Sequence, residues 1–219
     1  MSSIKNALRE IVVETGRTMI QERLTIGSWG NISVRDPETG LIYISPSGMA
    51  YPELTAEDVV VIDPALAVVD GFRTPSVEKA MHAAVYRARP DLNAVVHTHA
   101  LYSSVLGVNH MALPPIGEDL VELVGDRVLC SEYALPGSEA LAQNVAAGLG
   151  ERNAVILPNH GALCAGESMP QALTVCRVLE KNAQVFILAR CIGTPQLLEE
   201  ADIQAMQRFA REVYGQPKT

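Results

Sequence analysis

The sequence predicts an α/β fold in which helices cover a mixed, largely antiparallel sheet. Candidate strands come in adjacent pairs: GNISVR with LIYIS, VVVID with LAVVD, and AVILP with GALCAG. Strict alternation of strands and helices, which is typical of a doubly wound parallel sheet, is not the pattern here. With 219 residues and no Pro/Gly/Ser-rich linker, we expect one domain over residues 1–219.

The first half of the chain carries two helix patterns. Apolar residues at helical intervals predict a helix from about Ser3 to Arg23 and a second one over Ser76–Arg89. Between them, DPETG predicts a hairpin turn, and Thr55 with Asp58 forms a capping box for a single helical turn. AVVHTH follows the second helix as a strand.

The second half gives a single strand, one more strand pair and three helices. Arg127–Glu132 is predicted as a strand, and Ser138–Leu149 as a helix that Ser138 caps and Gly150 ends. AVILPNHGALCAG predicts two strands joined by a turn. Helices over Met169–Ile192 and Glu199–Tyr214 complete the chain.

Charge and cysteine content restrict the partners. The net charge of −8, with 17 basic and 25 acidic residues, argues against nucleic acid and against an anionic membrane surface. No run of residues approaches the roughly 18 apolar positions that span a bilayer. The four cysteines form no CxxC pair and predict reduced thiols, so we expect a cytoplasmic protein that acts on a small molecule.

Three of the five histidines follow apolar strands. His97 and His99 stand two residues apart, so their side chains project from the same face of a strand and can share one cation. His160 lies in the turn after another strand, and Glu78 lies in the first turn of the helix before AVVHTH. Three imidazoles and a carboxylate suit Zn²⁺, although a lone strand-end histidine is more often a structural hydrogen-bonding group.

The other two histidines are interpreted without a ligand role. His82 follows Glu78 by four residues on the same helical face, which predicts a hydrogen-bonding group behind the site. His110 lies in a polar loop.

The motifs GNISV, ISPSG, PSVEKAMH, AVVHTHA and NHGAL, in this order, resemble the class II aldolase/adducin family, in the branch of L-fuculose-1-phosphate aldolase. The resemblance implies a three-layer sheet-and-helix domain with Zn²⁺ held by His97, His99 and His160; Mn²⁺ and Co²⁺ remain alternatives. It implies that Glu78 alternates between metal ligand and acid/base. It also implies a homotetramer whose active sites lie between neighbouring subunits.

The resemblance also assigns a phosphate site to glycine-bearing turns and to the start of a helix. Backbone N–H groups in such places favour anions, but ordinary turn chemistry would select the same residues. The residues that match the phosphate site of the family are Gly30, Asn31, Ser47, Gly48 and Ser76.

Three positions depart from the aldolase pattern. Val77 replaces a serine of the phosphate site, and Pro136 replaces an aromatic residue. Glu118 falls where the aldolases carry a tyrosine; it is either a proton donor or a solvated loop carboxylate. Tyr214 matches the C-terminal tyrosine that the aldolases bring from a neighbouring subunit, so Glu78, Glu118 and Tyr214 are the candidate catalytic residues.

The expected reaction is cleavage of a ketose 1-phosphate into dihydroxyacetone phosphate and a short aldehyde through a metal-stabilised enediolate. A decarboxylase, a 4-epimerase or a dehydratase of a sugar phosphate or sugar acid would use the same fold and metal. A non-catalytic adducin-like binding module is a further alternative. The presence of all four prospective ligands counts against that module.

Overall fold

A computed structural model describes residues 4–212. Its helices are α1 (Asn6–Gln21), α2 (Lys79–Ala88), α3 (Leu101–Val108), α4 (Glu118–Leu123), α5 (Glu139–Leu149), α6 (Met169–Ile192) and α7 (Glu200–Glu212). Its strands are β1 (Asn31–Arg35), β2 (Ile42–Ile44), β3 (Val60–Ile62), β4 (Val68–Asp70), β5 (Ala94–Thr98), β6 (Ala154–Leu157) and β7 (Gly161–Gly166). No helix within residues 4–212 has both the length and the apolar character needed to cross a membrane.

The seven strands form one sheet in the order β4-β3-β2-β1-β5-β7-β6. Each neighbouring pair is antiparallel. The register sets Asn31 of β1 opposite His97 of β5, and His97 opposite Leu163 of β7. Strand β5 therefore lies inside the sheet with a hydrogen-bonded neighbour on each side, which fixes the backbone that carries the HxH pair.

Helices cover both faces of the sheet. Val95 of β5 belongs to a core that also contains Met81 of α2 and Val145 of α5. The alternate residue Val96 belongs to a second core, which α1, α3, α4 and α6 share. Because side chains alternate along a strand, His97 lies on the α2 face. The predicted three-layer fold is confirmed, with an antiparallel sheet.

Several predicted elements are confirmed with small changes at their ends. Helix α1 begins at Asn6; Ser3 lies outside the described residues. The capping box at Thr55 and Asp58 is present. The side chain of Ser138 accepts a hydrogen bond from the backbone N–H of Leu141, as expected of an N-cap.

The predicted strand at Arg127–Glu132 is wrong. Val128 forms an antiparallel bridge with Leu113, whereas Cys130 forms a parallel bridge with Ile156. The backbone hydrogen bonds of this segment are divided between two neighbours, so neither contact extends into a ladder. A β-like composition cannot reveal this, because strand formation depends on a partner of sufficient length.

Helices α3 and α4 were not predicted, and residues distant in the sequence stabilise both. The carboxylate of Glu180 on α6 accepts hydrogen bonds from the backbone N–H groups of Tyr102 and Ser103, at 2.6 and 2.9 Å. These amides lie in the first turn of α3, where no intrahelical acceptor is available. Asp119 in the first turn of α4 accepts hydrogen bonds from Lys181 and Asn182 of α6.

Candidate active site

Three histidine side chains meet at the end of β5. His97 is the fourth residue of β5, His99 follows the strand directly, and His160 lies in the turn between β6 and β7. The Nε2 atom of His97 lies 3.0 Å from Nε2 of His99 and 3.2 Å from Nε2 of His160. His97 Nδ1 lies 2.9 Å from the carbonyl oxygen of Ala162. A carbonyl only accepts, so Nδ1 carries the proton and Nε2 of a neutral His97 presents a lone pair.

The three imidazoles are neutral at neutral pH. Burial is the main cause, lowering the pKa of His97 well below its usual value and the pKa of His99 to about 4. Burial lowers the pKa of His160 as well. Nε2 of neutral His97 has a single lone pair, so it can accept a hydrogen bond from only one of the two rings that face it.

Glu78 adds a carboxylate to the cluster. Its Oε2 atom lies 3.4 Å from Nε2 of His97, and its Oε1 atom lies 3.5 Å from Nε2 of His160. Asn31 Nδ2 donates a hydrogen bond to Oε2 at 2.7 Å, whereas Oε1 is buried and has no hydrogen-bond partner within the described part of the chain. The structure thus brings the four predicted ligands together.

This donor set fits a divalent metal ion. Zn–N distances of about 2.0–2.1 Å place the donor atoms of a tetrahedral site about 3.3 Å apart, close to the Nε2–Nε2 distances of 3.0 and 3.2 Å. A cation would also satisfy the buried Oε1 atom of Glu78. The ring nitrogen Nδ1 of His97 is already fixed by a backbone carbonyl, the arrangement that orients metal-binding histidines.

Two glycines let neighbouring strands approach the end of β5. A Cβ atom on Gly30 would lie 2.3 Å from the carbonyl oxygen of His97, and one on Gly161 would lie 2.1 Å from that of Thr98. Gly30 also has a φ of 74°, in the left-handed region. These close contacts set the positions from which Asn31 and His160 reach the cluster.

The position of His99 depends on the turn that leads into α3. Its backbone N–H donates to the carbonyl oxygen of Leu24 at 3.1 Å, and its ring lies 5.6 Å from the ring of Trp29. Glu180 caps the helix that begins two residues later. These contacts restrain His99 although it lies outside the sheet ladder.

A cavity of about 700 Å³ opens in front of the cluster. Its polar lining includes Glu78, His99, His160 and the whole predicted phosphate set, namely Gly30, Asn31, Ser47, Gly48 and Ser76. Its apolar lining includes Ile26, Trp29, Val77, Tyr133 and Pro136. One ligand could therefore contact the metal-binding groups, the anion-binding groups and an apolar surface together.

The residues of the predicted phosphate site differ in whether their hydrogen-bonding groups are available to a ligand. The amide of Asn31 already contacts Glu78 and His82. Ser76 Oγ accepts a hydrogen bond from the backbone N–H of Glu78 at 3.2 Å, which leaves its hydroxyl proton available to a ligand. Ser47 and Gly48 are exposed. Ser47 and Gly48 are therefore more accessible than Asn31, whereas Ser76 is as buried as Asn31.

The remaining predicted residues lie apart from the cluster. Glu118 is the first residue of α4, is exposed, and is not among the residues of this chain that line the cavity. Tyr214 lies outside the described residues. His82 is fully buried and hydrogen-bonded, as predicted, and His110 contacts Asn159 in the neighbouring turn.

The sequence interpretation missed Ser33, Tyr86 and Glu180. Ser33 lies two residues after Asn31 on β1, and Tyr86 lies four residues after His82 on α2. Those intervals place each residue on the face of its element that carries the site. The spacing of Ser33 and Tyr86 therefore indicated that they share a face with site residues. Nothing in the local sequence marks Glu180 as the cap of a distant helix.

Comparisons with known proteins agree with this geometry. Residues 10–187 match the family described as Class II Aldolase and Adducin N-terminal domain. The 5-deoxy-D-ribulose 1-phosphate aldolase of Bacillus thuringiensis serovar kurstaki is 38% identical over 208 residues, which cover 95% of this chain and 97% of that protein. The L-fuculose phosphate aldolase of Escherichia coli (strain K12) is 31% identical over 213 residues, covering 96% and 97%.

A solved structure shows the same likeness in three dimensions. An L-fuculose 1-phosphate aldolase superposes with a TM-score of 0.92 at 32% sequence identity, covering 95% of this chain and 98% of that chain. Relatives that match over nearly their whole length are named as aldolases, which confirms the predicted aldehyde-lyase class. The chain belongs to the class II aldolase/adducin family.

Proposed function

We propose that this enzyme cleaves a ketose 1-phosphate into dihydroxyacetone phosphate and a short aldehyde, with the help of a divalent metal ion. The observation that carries the proposal is the convergence of three neutral imidazoles and one unsatisfied carboxylate oxygen beside a cavity. Groups suited to bind a phosphate line the same cavity.

His97, His99 and His160 would hold the ion, with Glu78 as a fourth ligand in the absence of substrate. Zn²⁺ is the first choice because nitrogen and oxygen donors in a four-coordinate set suit it; Mn²⁺ and Co²⁺ are alternatives. When bound, such an ion polarises a substrate carbonyl and stabilises the negative charge that develops on its oxygen.

Glu78 is the residue that we assign to proton transfer. Cleavage breaks the C3–C4 bond of the ketose, so C3 must gain a proton and the C4 hydroxyl must lose one. Oε1 of Glu78 has no hydrogen-bond partner among residues 4–212, so it can carry the proton to C3. Its neighbour Oε2 is held by Asn31, which keeps the carboxylate in one orientation.

Ser47, Gly48 and Ser76 would bind the phosphate. Ser76 lies at the turn that leads into α2, where backbone N–H groups and the helix dipole favour an anion. Val77 supplies no hydroxyl to this site, so we expect fewer hydrogen bonds to the phosphate than a second serine would allow.

The aldehyde half of the substrate would carry an apolar end. Ile26, Trp29, Val77, Tyr133 and Pro136 present apolar surface to the cavity. A hydroxyl buried there without a partner costs about 1–3 kcal/mol. A 5-deoxyketose 1-phosphate, the substrate in the name of one relative, should therefore be cleaved about tenfold more efficiently than its 5-hydroxy counterpart.

The proposal includes a cytoplasmic homotetramer with active sites between subunits. Ile26, Trp29 and Leu135 are 81%, 66% and 68% exposed near the cavity, and a neighbouring subunit would cover such apolar groups. Glu118 or Tyr214 would then reach the C4 hydroxyl of a substrate bound in the neighbouring subunit. Light scattering of the purified protein would test the assembly.

The test is a screen of ketose 1-phosphates for the release of dihydroxyacetone phosphate. We expect release with the wild type, and a loss of most turnover in Glu78→Gln with metal content retained through the three histidines. The exposed Glu139→Gln serves as the matched control. Release at a normal rate by Glu78→Gln would remove Glu78 from the mechanism, and no release from any ketose 1-phosphate would refute the proposed reaction.

A further inference from the structure

A chain of buried polar side chains runs from Glu78 into the interior between α2 and β1. The side chains alternate between the helix and the strand in the order Glu78, Asn31, His82, Ser33, Tyr86. Asn31 Nδ2 lies 2.7 Å from Glu78 Oε2, and Asn31 Oδ1 lies 2.5 Å from His82 Nε2. Ser33 Oγ lies 2.7 Å from His82 Nδ1 and 2.8 Å from the hydroxyl of Tyr86. We call these five residues the α2–β1 ladder.

The geometry results from matching spacings. Glu78, His82 and Tyr86 follow one another at intervals of four; Glu78 is the N-cap of α2, one position before its predicted place in the first turn, and the other two lie within the helix. Asn31 and Ser33 are two apart on the strand. One turn of helix advances about 5.4 Å and two strand residues advance about 6.6 Å, so the two rows stay nearly in step over this length. All five residues are buried.

Hydrogen-bond chemistry gives the ladder one direction. The amide of Asn31 must turn its NH₂ group to the Glu78 carboxylate, so its Oδ1 is an acceptor and His82 Nε2 must donate. Burial lowers the pKa of His82 to about 3, so the ring is neutral and Nδ1 accepts from the hydroxyl of Ser33. With its proton committed to His82, Ser33 Oγ can only accept from Tyr86, whose single hydroxyl proton is shared between this oxygen at 2.8 Å and the carbonyl oxygen of Ser33 at 3.0 Å.

We infer that His82, Ser33 and Tyr86 are positioning residues that, through Asn31, bind one oxygen of Glu78 and leave the other free to react. The donors of Ser33, His82 and Asn31 all point towards Oε2. Oε1 has no hydrogen-bond partner among the described residues and lies on the His160 side. The ladder thus makes the two carboxylate oxygens inequivalent. This inference rests on the proposed function in one respect: the expected changes in turnover assume that Glu78 transfers the proton.

The first part of the test does not depend on activity. ¹⁵N NMR of the histidine-labelled protein reports which ring nitrogen carries the proton, and His82→Gln identifies the His82 signals by their loss. We expect a proton on Nε2 and none on Nδ1. A proton on Nδ1 would reverse the donor order and overturn the inference, whatever reaction the enzyme catalyses.

The second part measures kcat and KM separately. His82→Leu should lower kcat about tenfold, the lower end of what loss of a supporting hydrogen bond costs, with KM unchanged because His82 does not line the cavity. His82→Gln should restore most of kcat, because its amide can donate to Asn31 and accept from Ser33 as the neutral imidazole does.

Tyr86→Phe removes only the far end of the ladder and should leave the fold intact. We expect a lower kcat and a shifted His82 ¹⁵N signal. Tyr43→Phe is the matched control: Tyr43 is equally buried, but its hydroxyl accepts from the backbone N–H of Lys5, outside the ladder. Equal kcat and equal His82 signals in the two variants would overturn the inference, as would a His82→Gln enzyme as slow as His82→Leu. If the wild type released no dihydroxyacetone phosphate, the proposed function would fail while the NMR result still decided the ladder.

Discussion

The close contact at Gly161 predicts that one added methyl group disrupts the proposed metal site. In Gly161→Ala the new Cβ atom would lie 2.1 Å from the carbonyl oxygen of Thr98, whereas real Cβ atoms are essentially never found closer than 3.0 Å to such an atom. The start of β7 and the end of β5 must therefore separate by at least 0.9 Å. Gly161 follows His160 directly, so the separation moves His160 relative to His97.

The expected effects follow from that displacement. Overpacking of this kind costs about 1–3 kcal/mol of folding free energy, and in a chain of this size each kcal/mol lowers Tm by about 2–4 °C. Metal–ligand distances tolerate only about 0.2 Å, so we expect metal affinity to fall about tenfold or more. Thermal unfolding and competition with a chelator measure the two quantities.

Gly193→Ala is the matched control, because no atom of residues 4–212, apart from those of its chain neighbours and adjoining helix backbone, lies within 4 Å of its added Cβ. It should keep the Tm and the metal affinity of the wild type. Wild-type values for both quantities in Gly161→Ala would refute the reasoning, since the end of β5 would then not fix the distance between His97 and His160.

Three further changes test other parts of the structure. Glu180→Ala leaves two first-turn amides of α3 without their acceptor, so urea denaturation should show a loss of about 1–2 kcal/mol; a loss no larger than in the exposed Glu167→Ala would contradict the capping role. The unfolded chain protonates His82 near pH 6.5 and the folded chain only near pH 3, so the metal-free protein should lose stability as the pH falls between these values. The share from His82 is on the order of 5 kcal/mol; His82→Gln should lack it, and equal pH dependence in the two proteins would argue against a neutral buried ring. If Glu118 donates a proton in the active site of a neighbouring subunit, Glu118→Gln should lower turnover at constant metal content and remove one limb of the pH–rate profile. Unchanged kinetics would indicate a solvated surface carboxylate without a catalytic role.

The sequence was sufficient to predict elements with a long periodic pattern and pairs of residues that share a face within one element. In helices α1 and α6, apolar residues recur at helical intervals over four or more turns, and this pattern is typical of a helix rather than of a strand or a loop. The HxH spacing alone predicted that His97 and His99 would face the same way, because a strand alternates its side chains. The convergence of His160 with His97 could not be predicted from spacing; only the family resemblance implied it.

Features that depend on remote contacts could not be predicted. Helix α3 depends on Glu180, which lies 78 positions from Tyr102. The segment Arg127–Glu132 has the composition of a strand but divides its hydrogen bonds between two partners. The ladder from Asn31 to Tyr86 was visible only in part, because spacing shows which residues share a face but not which two faces meet.

The central claim is that His97, His99 and His160 hold a metal ion on which aldol cleavage depends. The most direct measurement is the release of dihydroxyacetone phosphate from a 5-deoxyketose 1-phosphate by the purified enzyme, before and after chelation, and after Zn²⁺ is returned. We predict loss of release on chelation and recovery with about one equivalent of Zn²⁺ per chain, with no recovery in His99→Ala. Full release by the metal-free enzyme, or full recovery in His99→Ala, would contradict the claim.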